Sequence, residues 1–158
     1  MTLSTKDERP PSPIPWPPLL LIAVIIGGRM LDHWLPTPWI PADLAHPVGT
    51  MLIVLGLAND VWCALTLRRH DTTILPHRAV TTLVTSGPYR YSRNPIYISE
   101  LVITLGCGLL LRSPAIVLFI PALFFALTKL AIEPEERHLH AKFGLEFEQY
   151  AARTPRWL

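Results

Sequence analysis

Four long apolar segments limit what this chain can fold into. They cover residues 16–35, 48–67, 95–111 and 114–132, and each is close to the roughly 20 residues that a helix needs to cross a bilayer. Charged residues make up only 16% of the chain, whereas about 25% is usual in soluble domains. The segments therefore predict an all-α, polytopic membrane protein with about four transmembrane helices.

The third and fourth segments are expected to form a tight antiparallel hairpin, because only the sequence RSP separates them. The third segment is also the shortest. The hairpin can accommodate this by ending within the bilayer, or the membrane can become thinner around it.

Arginine distribution predicts the orientation of these helices. The connection over residues 68–94 carries five arginines, whereas residues 36–47 carry no lysine or arginine. Positively charged loops stay on the cytoplasmic side of a membrane. Both chain termini and the arginine-rich loop are therefore expected on the cytoplasmic side.

The two ends of the chain differ in character from its apolar middle. Residues 1–15 are polar and proline-rich and are expected to form a disordered lead before a single domain over residues 16–158. After the fourth segment, Leu139, Phe143, Phe147 and Tyr150 recur at helical spacing, with charged residues between them. This pattern predicts an amphipathic helix lying on the cytoplasmic membrane interface.

Hydrogen-bonding side chains concentrate where the hairpin begins and ends. If the hairpin forms, it brings the start of the third segment beside the end of the fourth. The side chains expected to meet there are Tyr89, Arg93, Asn94 and Tyr97 on one side and Lys129, Glu133, Glu135 and Glu136 on the other. An interfacial belt of anchoring tyrosines and arginines, with solvated glutamates, is an equally good reading of the composition.

Asn59 and Asp60 lie inside the second apolar segment. An ionisable residue at that depth is costly, which makes Asp60 a candidate for a functional role. A structural ion pair with Arg68 or Arg29 explains it equally well.

Metal and nucleic-acid sites are not expected. His138 and His140 are two residues apart and so lie on different helix faces, whereas helical metal pairs are usually four residues apart. The basic residues do not line an amphipathic helix of the kind that reads nucleic acid, and no zinc-finger spacing occurs.

The stretch LVTSGPYRYSRNPIY, followed by the hairpin and then EPEERHLHAKFGLEFEQYAARTPRW, resembles the isoprenylcysteine carboxyl methyltransferase and phospholipid methyltransferase superfamily. These are integral membrane enzymes that use S-adenosylmethionine. The resemblance covers about residues 81–157, which it marks as the cofactor-binding part. Two motifs occur in the right order around a hairpin of suitable length.

The resemblance implies a role for individual residues. The segment before the turn and the turn tyrosine would line the cofactor, and these are Thr81, Thr82, Leu83, Val84 and Tyr89. The superfamily's Arg-His-Pro-x-Tyr motif falls on Arg93, Asn94, Pro95, Ile96 and Tyr97, with asparagine where many members have histidine. The cofactor-binding glutamates fall on Glu133 and on the pair formed by Glu135 and Glu136, of which Glu136 is assigned to the cofactor. Asn94, Tyr97 and Lys129 would be catalytic, and Lys129 would also bind the acceptor.

Methyl transfer at the cytoplasmic interface, to the carboxylate of an isoprenylcysteine-like molecule, is the function that the resemblance implies. A phospholipid amine or a small thiol is an alternative acceptor. A small membrane transport or scaffold protein is the alternative outside enzymes. The membrane would be the inner membrane of a prokaryote or the endoplasmic reticulum of a eukaryote.

Overall fold

All regular structure in the described part of the chain is helical, which confirms the all-α part of the predicted fold class. The computed structural model describes residues 15–34, 40–70 and 82–158. The predicted disordered lead therefore lies almost wholly outside the described residues. The α-helices are α1 (Trp16–Asp32), α2 (Ala42–Arg69), α3 (Pro95–Leu110), α4 (Pro114–Leu118), α5 (Ile120–Leu127), α6 (Glu133–Phe143) and α7 (Leu145–Arg153). A 3-10 turn (Gly87–Arg90) precedes α3, and a π-helix (Thr128–Ile132) joins α5 to α6.

Prolines mark the starts of most of these helices. They occupy the first or second position of α1, α3, α4, α5 and α6. The N–H groups of a first turn have no partner within the helix, so proline loses nothing there, and its fixed φ already suits the helix. The chain has 17 prolines, and several of them set the helix boundaries without breaking a helix.

Glycines let α2 and α3 pack closely, and this is the most extensive helix contact of the fold. A Cβ atom added to Gly49 would lie 2.7 Å from the carbonyl oxygen of Gly106, and one added to Gly56 would lie 2.5 Å from Ile103. Small residues at such contacts are typical of helix pairs in membranes, where close packing replaces the hydrophobic effect.

At the opposite end of the bundle from the turn before α3, α1 packs against α4. The Asp32 side chain accepts a hydrogen bond from the Ala115 N–H at 3.2 Å and forms an ion pair with Arg29 at 3.3 Å. Asp32 therefore satisfies a free N–H in the first turn of α4. Arg29 pairs with Asp32, so the alternative in which Arg29 pairs with Asp60 is not formed.

The fourth apolar segment is not the single helix that its composition predicts. It divides into α4, α5 and the π-helix, where the Glu133 N–H bonds to the Thr128 carbonyl five residues earlier. A π-turn contains one extra residue and so rotates everything after it relative to the preceding helix. This rotation determines how α6 presents its glutamates to the start of α3.

The predicted amphipathic tail helix is also divided. Gly144 has φ +51°, a conformation that glycine adopts readily, and it separates α6 from α7. The apolar face of α7 carries Phe147 and Tyr150, which pack with Leu83 from the segment before the turn. This face covers the protein itself, and its placement on a membrane surface stays a prediction.

Among the described helices, α2 is long and apolar enough to cross a bilayer, with a mean hydropathy of 1.7. The apolar helix α3 has 16 residues and is shorter than that requirement. All four apolar segments contain helix, but a count of four spans stays a prediction.

Candidate active site

Two motif segments meet where α3 begins and α6 begins. The Tyr97 hydroxyl, in the first turn of α3, donates a hydrogen bond of 2.9 Å to the Glu135 carboxylate in the first turn of α6. Tyr97 is partly buried, as is Glu135. This contact joins the regions that the sequence predicted would converge, although sequence reasoning had assigned Glu133 and Glu136 to the cofactor and not Glu135.

Glu136 is the centre of an ion-pair network. Arg93 contacts its carboxylate at 3.0 Å and Arg156 contacts it at 2.6 Å, with a second Arg156 nitrogen at 3.1 Å. Only 12% of the Glu136 side chain is exposed. The hydrogen bonds with Glu136 raise the pKa of the Arg156 guanidinium above its usual value. Glu136 therefore ties the turn before α3 to the end of the chain.

The C-terminal segment, residues 154–158, lies against the motif and supplies contacts that the sequence did not predict. The Arg156 carbonyl accepts hydrogen bonds from the Asn94 side chain at 3.0 Å and from the Ser92 hydroxyl at 3.2 Å. The Arg93 N–H donates to the Pro155 carbonyl at 2.9 Å. Trp157 stacks on Phe124 with ring centroids 4.5 Å apart. Asn94 therefore holds this segment in place.

Lys129 and Glu133 form a local ion pair of 2.6 Å along the π-helix and the start of α6. The Lys129 side chain is 67% exposed, so the contact lies at the surface of the protein. Its hydrogen bond lowers the pKa of Glu133 below the usual range. Neither residue has a side-chain hydrogen bond or ion pair with the Tyr97 side of the site in the described structure, and their assigned roles stay predictions.

The segment before the turn contributes two side chains to the protein interior. Leu83 and Val84 are buried, whereas Thr82 is exposed; Thr81 lies outside the described residues. The Tyr150 hydroxyl donates a 2.6 Å hydrogen bond to the Tyr89 carbonyl. This bond anchors α7 to the turn that carries the Tyr89 ring.

Burial governs the ionisation of the site. It raises the pKa of the Tyr89 phenol, with nearby Cys63 and Glu135 acting in the same direction. Burial also raises the pKa of Glu135; the Tyr97 hydrogen bond opposes this shift, and the neighbouring Glu136 adds to it. The Tyr89 phenol is therefore a neutral hydrogen-bonding group at neutral pH.

The remaining motif residues, Pro95 and Ile96, connect the site to α2. The Pro95 carbonyl accepts a hydrogen bond of 3.0 Å from the Asn59 side chain, which also donates to Ser99 at 2.8 Å. Pro95 is buried and Ile96 partly buried. Asn59 therefore has a structural role in the α2–α3 contact.

Asp60 does not pair with an arginine in the described structure. Its Oδ1 atom is buried without a hydrogen-bond partner, as are the Nε of Arg93 and the Oε1 of Glu100. The alternative of a structural ion pair with Arg68 is therefore not formed in the described structure. Sequence reasoning did not identify Glu100 at all, although a single acid within an apolar segment was the same signal that identified Asp60.

No three histidine, cysteine, aspartate or glutamate side chains of the described residues lie together as a metal site would require. Three buried polar atoms of the described residues have no hydrogen-bond partner: Asp60 Oδ1, Arg93 Nε and Glu100 Oε1. Such atoms can accept or donate hydrogen bonds to a polar small molecule.

The chain belongs to the phospholipid methyltransferase family, whose model matches residues 44–146. The match includes α2, the turn, α3 and the glutamates of α6. Proteins of this family are membrane-associated, and these methyltransferases normally use S-adenosylmethionine. The family predicted from the two motifs is thereby confirmed.

Three curated relatives extend the comparison. The chain is 34% identical over 137 residues to the nickel-cobalt-cadmium resistance protein NccN of Alcaligenes xylosoxydans xylosoxydans, covering 87% of this chain and 58% of that protein. It is 30% identical over 138 residues to the cobalt-zinc-cadmium resistance protein CzcN of Cupriavidus metallidurans, covering 86% and 59%. It is 28% identical over 134 residues to protein-S-isoprenylcysteine O-methyltransferase B of Arabidopsis thaliana, covering 84% and 64%.

The chain thus spans about three fifths of the length of these relatives. No solved structure gives a significant match.

Proposed function

We propose that this protein is a multi-pass membrane enzyme that transfers a methyl group from S-adenosylmethionine to a lipid-like acceptor. The observation that carries the proposal is the hydrogen bond between Tyr97 and Glu135. Together with the Arg93–Glu136 ion pair, it joins both family motifs into one site at one end of the bundle.

The site offers the groups that a polar cofactor needs. The buried Nε of Arg93 has an unused donor, and the neighbouring positions Tyr89 and Tyr97 in the motif carry aromatic rings that can cover an adenine. By the family resemblance, Thr81, Thr82, Leu83, Val84, Asn94 and Glu133 complete the cofactor site. The proposed fit of the cofactor depends on the buried hydrogen-bonding groups near the start of α3.

When bound, S-adenosylmethionine supplies an electrophilic methyl group on a positively charged sulfur. The protein contributes position and a water-poor environment, which can supply much of the acceleration of such a displacement. Tyr97 is held by Glu135, and Asn94 is held by the C-terminal segment, so both are fixed before a ligand arrives.

We place four helical segments in the membrane and the site on its cytoplasmic face. Large apolar side chains are exposed on α1, α2 and α5, including Ile26, Trp62 and Phe125, which are 55%, 49% and 64% exposed. Lipid tails would cover such surfaces, whereas water would not. The arginine-rich connection sets the orientation; in a prokaryote this is the inner membrane, and in a eukaryote the endoplasmic reticulum.

A groove between α2 and α3 suits the apolar chain of the acceptor. It has a volume of about 340 Å³ and is lined by Leu55, Trp62, Ile98 and Val102, with Ser92 at the end that adjoins Asn94. The resemblance favours an isoprenylcysteine-like carboxylate as the methyl acceptor, with Lys129 holding its charge, over an amine or a small thiol. The metal resistance named for two relatives would, on this proposal, follow from methylation of a membrane component.

A methyl-transfer assay in detergent tests the function. Purified protein would be incubated with radiolabelled S-adenosylmethionine and separate lipid, prenylcysteine and thiol acceptors. Label should pass to one acceptor class in the wild type and fall at least tenfold in Tyr97→Phe. The control is Glu146→Gln, because Glu146 is exposed on α7 and lies outside the groove. A transport or scaffold protein would transfer no label and show no saturable affinity for the cofactor.

A further inference from the structure

A second group of acids lies deeper in the bundle than Glu135. Glu100 is in the second turn of α3 and only 8% exposed, and its Oε1 atom has no hydrogen-bond partner. Asp60 of α2 lies beside Ser99, the residue that precedes Glu100, and it also has a buried oxygen without a hydrogen-bond partner. The two carboxyl groups are close enough for the charge of Asp60 to act on Glu100.

The neighbours of these two acids carry no positive charge. Tyr97 lies one helical turn before Glu100, and Tyr89 and Cys63 lie within electrostatic reach of Asp60. Ser99 is the remaining polar side chain beside Asp60. Phenol, thiol and hydroxyl groups can donate hydrogen bonds, but they cannot neutralise two carboxylates.

Basic side chains near this end of the described structure are engaged elsewhere. Arg93 and Arg156 both contact Glu136, and Lys129 contacts Glu133. Arg68 and Arg69, at the end of α2, are exposed. In the described part of the chain, no lysine or arginine forms a salt bridge with Asp60 or Glu100.

A buried carboxylate oxygen without a partner is costly, and two ionised acids close together repel each other. A positively charged ligand group placed between them would remove both penalties. Glu100 lies on the same face of α3 as Tyr97, because residues three apart are neighbours on a helix. A ligand held at Tyr97 can therefore reach this pair.

We infer that Asp60 and Glu100 form a binding site for an organic cation within the proposed methyltransferase site. The inference rests on the proposed function. Two ligands can supply this charge: the sulfonium of S-adenosylmethionine, or the ammonium of an amine acceptor. Both present a positive centre carrying carbon substituents, which suits a pocket of carboxyl and phenol groups.

Affinity measurements separate the two sources. S-Adenosylhomocysteine lacks the methyl group and the sulfonium charge. If the pair binds the sulfonium, Glu100→Gln and Asp60→Asn should each weaken S-adenosylmethionine binding by about 10- to 100-fold, the loss expected for a charged contact. Binding of S-adenosylhomocysteine should change by less than about twofold, a difference too small for the loss of a charged contact.

If the pair binds an acceptor ammonium, both cofactor affinities should stay unchanged. The KM for phosphatidylethanolamine in mixed micelles should then rise at least about tenfold, by the same reasoning, and the KM for a prenylcysteine acceptor should not. The control variant is Glu146→Gln, which removes an exposed glutamate of α7. Unchanged affinity for S-adenosylmethionine together with an unchanged KM for the amine would overturn the inference.

Two further measurements keep this result separate from the proposed function. Thermal unfolding in detergent checks that each variant is folded, and Asp60→Asn replaces Glu100→Gln if the latter is not. If the wild type binds neither cofactor form, the proposed function fails. The cation site is then tested with trimethylsulfonium and ethanolamine, which should raise the unfolding temperature of the wild type but not of Glu100→Gln. Equal shifts in both proteins would overturn the inference.

Discussion

Replacing Glu136 with glutamine should release the C-terminal segment from the start of α3. The substitution keeps the size of the side chain and removes the charge that Arg93 and Arg156 share. A charge-assisted hydrogen bond contributes about 1.5–3 kcal/mol, and the Arg93 contact, with 16% of its side chain exposed, should reach about 2 kcal/mol. The Arg156 side chain is 39% exposed, so solvent screening reduces its contribution to about 1 kcal/mol.

We therefore expect Glu136→Gln to lower the free energy of unfolding in detergent by about 3 kcal/mol. Limited proteolysis should also remove the C-terminal segment faster than in the wild type. Glu146→Gln provides the control, because exposed substitutions of this kind usually change stability by less than about 0.5 kcal/mol.

A double-mutant cycle that combines Glu136→Gln with Arg156→Met isolates the contact between Glu136 and Arg156. The coupling energy between the two sites should be about 1 kcal/mol. Additivity within about 0.3 kcal/mol, the behaviour of independent sites, would show that the 2.6 Å contact does not hold the segment.

Three further predictions follow from the same structure. Gly49→Ala should destabilise the protein by about 1–3 kcal/mol through overpacking against α3. Gly27→Ala should not, because the added carbon would meet nothing beyond its own helix backbone and chain neighbours within 4 Å; equal unfolding energies would contradict this. Because burial raises the pKa of Glu135 above its ordinary 4.5, stability should fall as pH rises from that value through the raised pKa, and Glu135→Gln should remove this slope in pH-dependent unfolding. Lys129→Met should raise the KM for the acceptor while calorimetric cofactor affinity stays near normal; equal losses would assign Lys129 only to its ion pair with Glu133.

The apolar segments of the sequence predicted where the helices lie, but they did not predict the breaks within them. The predicted third segment ends within one residue of α3, because proline and a polar turn bound it on both sides. The π-helix at residues 128–132 left no trace in the hydrophobic pattern. Its extra residue is accommodated by the packing of buried Ile132 and by the contacts of α6, which are tertiary effects.

The convergence of the site was predictable, but its pairings were only partly so. Antiparallel hairpin geometry was enough to bring Tyr97 near the glutamates. It could not assign Glu135 to Tyr97 and Glu136 to Arg93, because that choice depends on the rotation introduced by the π-helix. The contact between Arg156 and Glu136 joins residues 20 positions apart across a chain reversal at Gly144, which local sequence patterns do not encode.

Photochemical cross-linking of radiolabelled S-adenosylmethionine tests the central claim most directly. Ultraviolet irradiation of the protein in detergent, followed by peptide mapping, would locate the bound cofactor. The proposed site predicts label on peptides containing Tyr89 and Tyr97 or on those from α6, and excess unlabelled S-adenosylhomocysteine should suppress it. Absence of competable label, or label confined to the α1–α4 end around Asp32, would contradict the assignment of this site to methyl transfer.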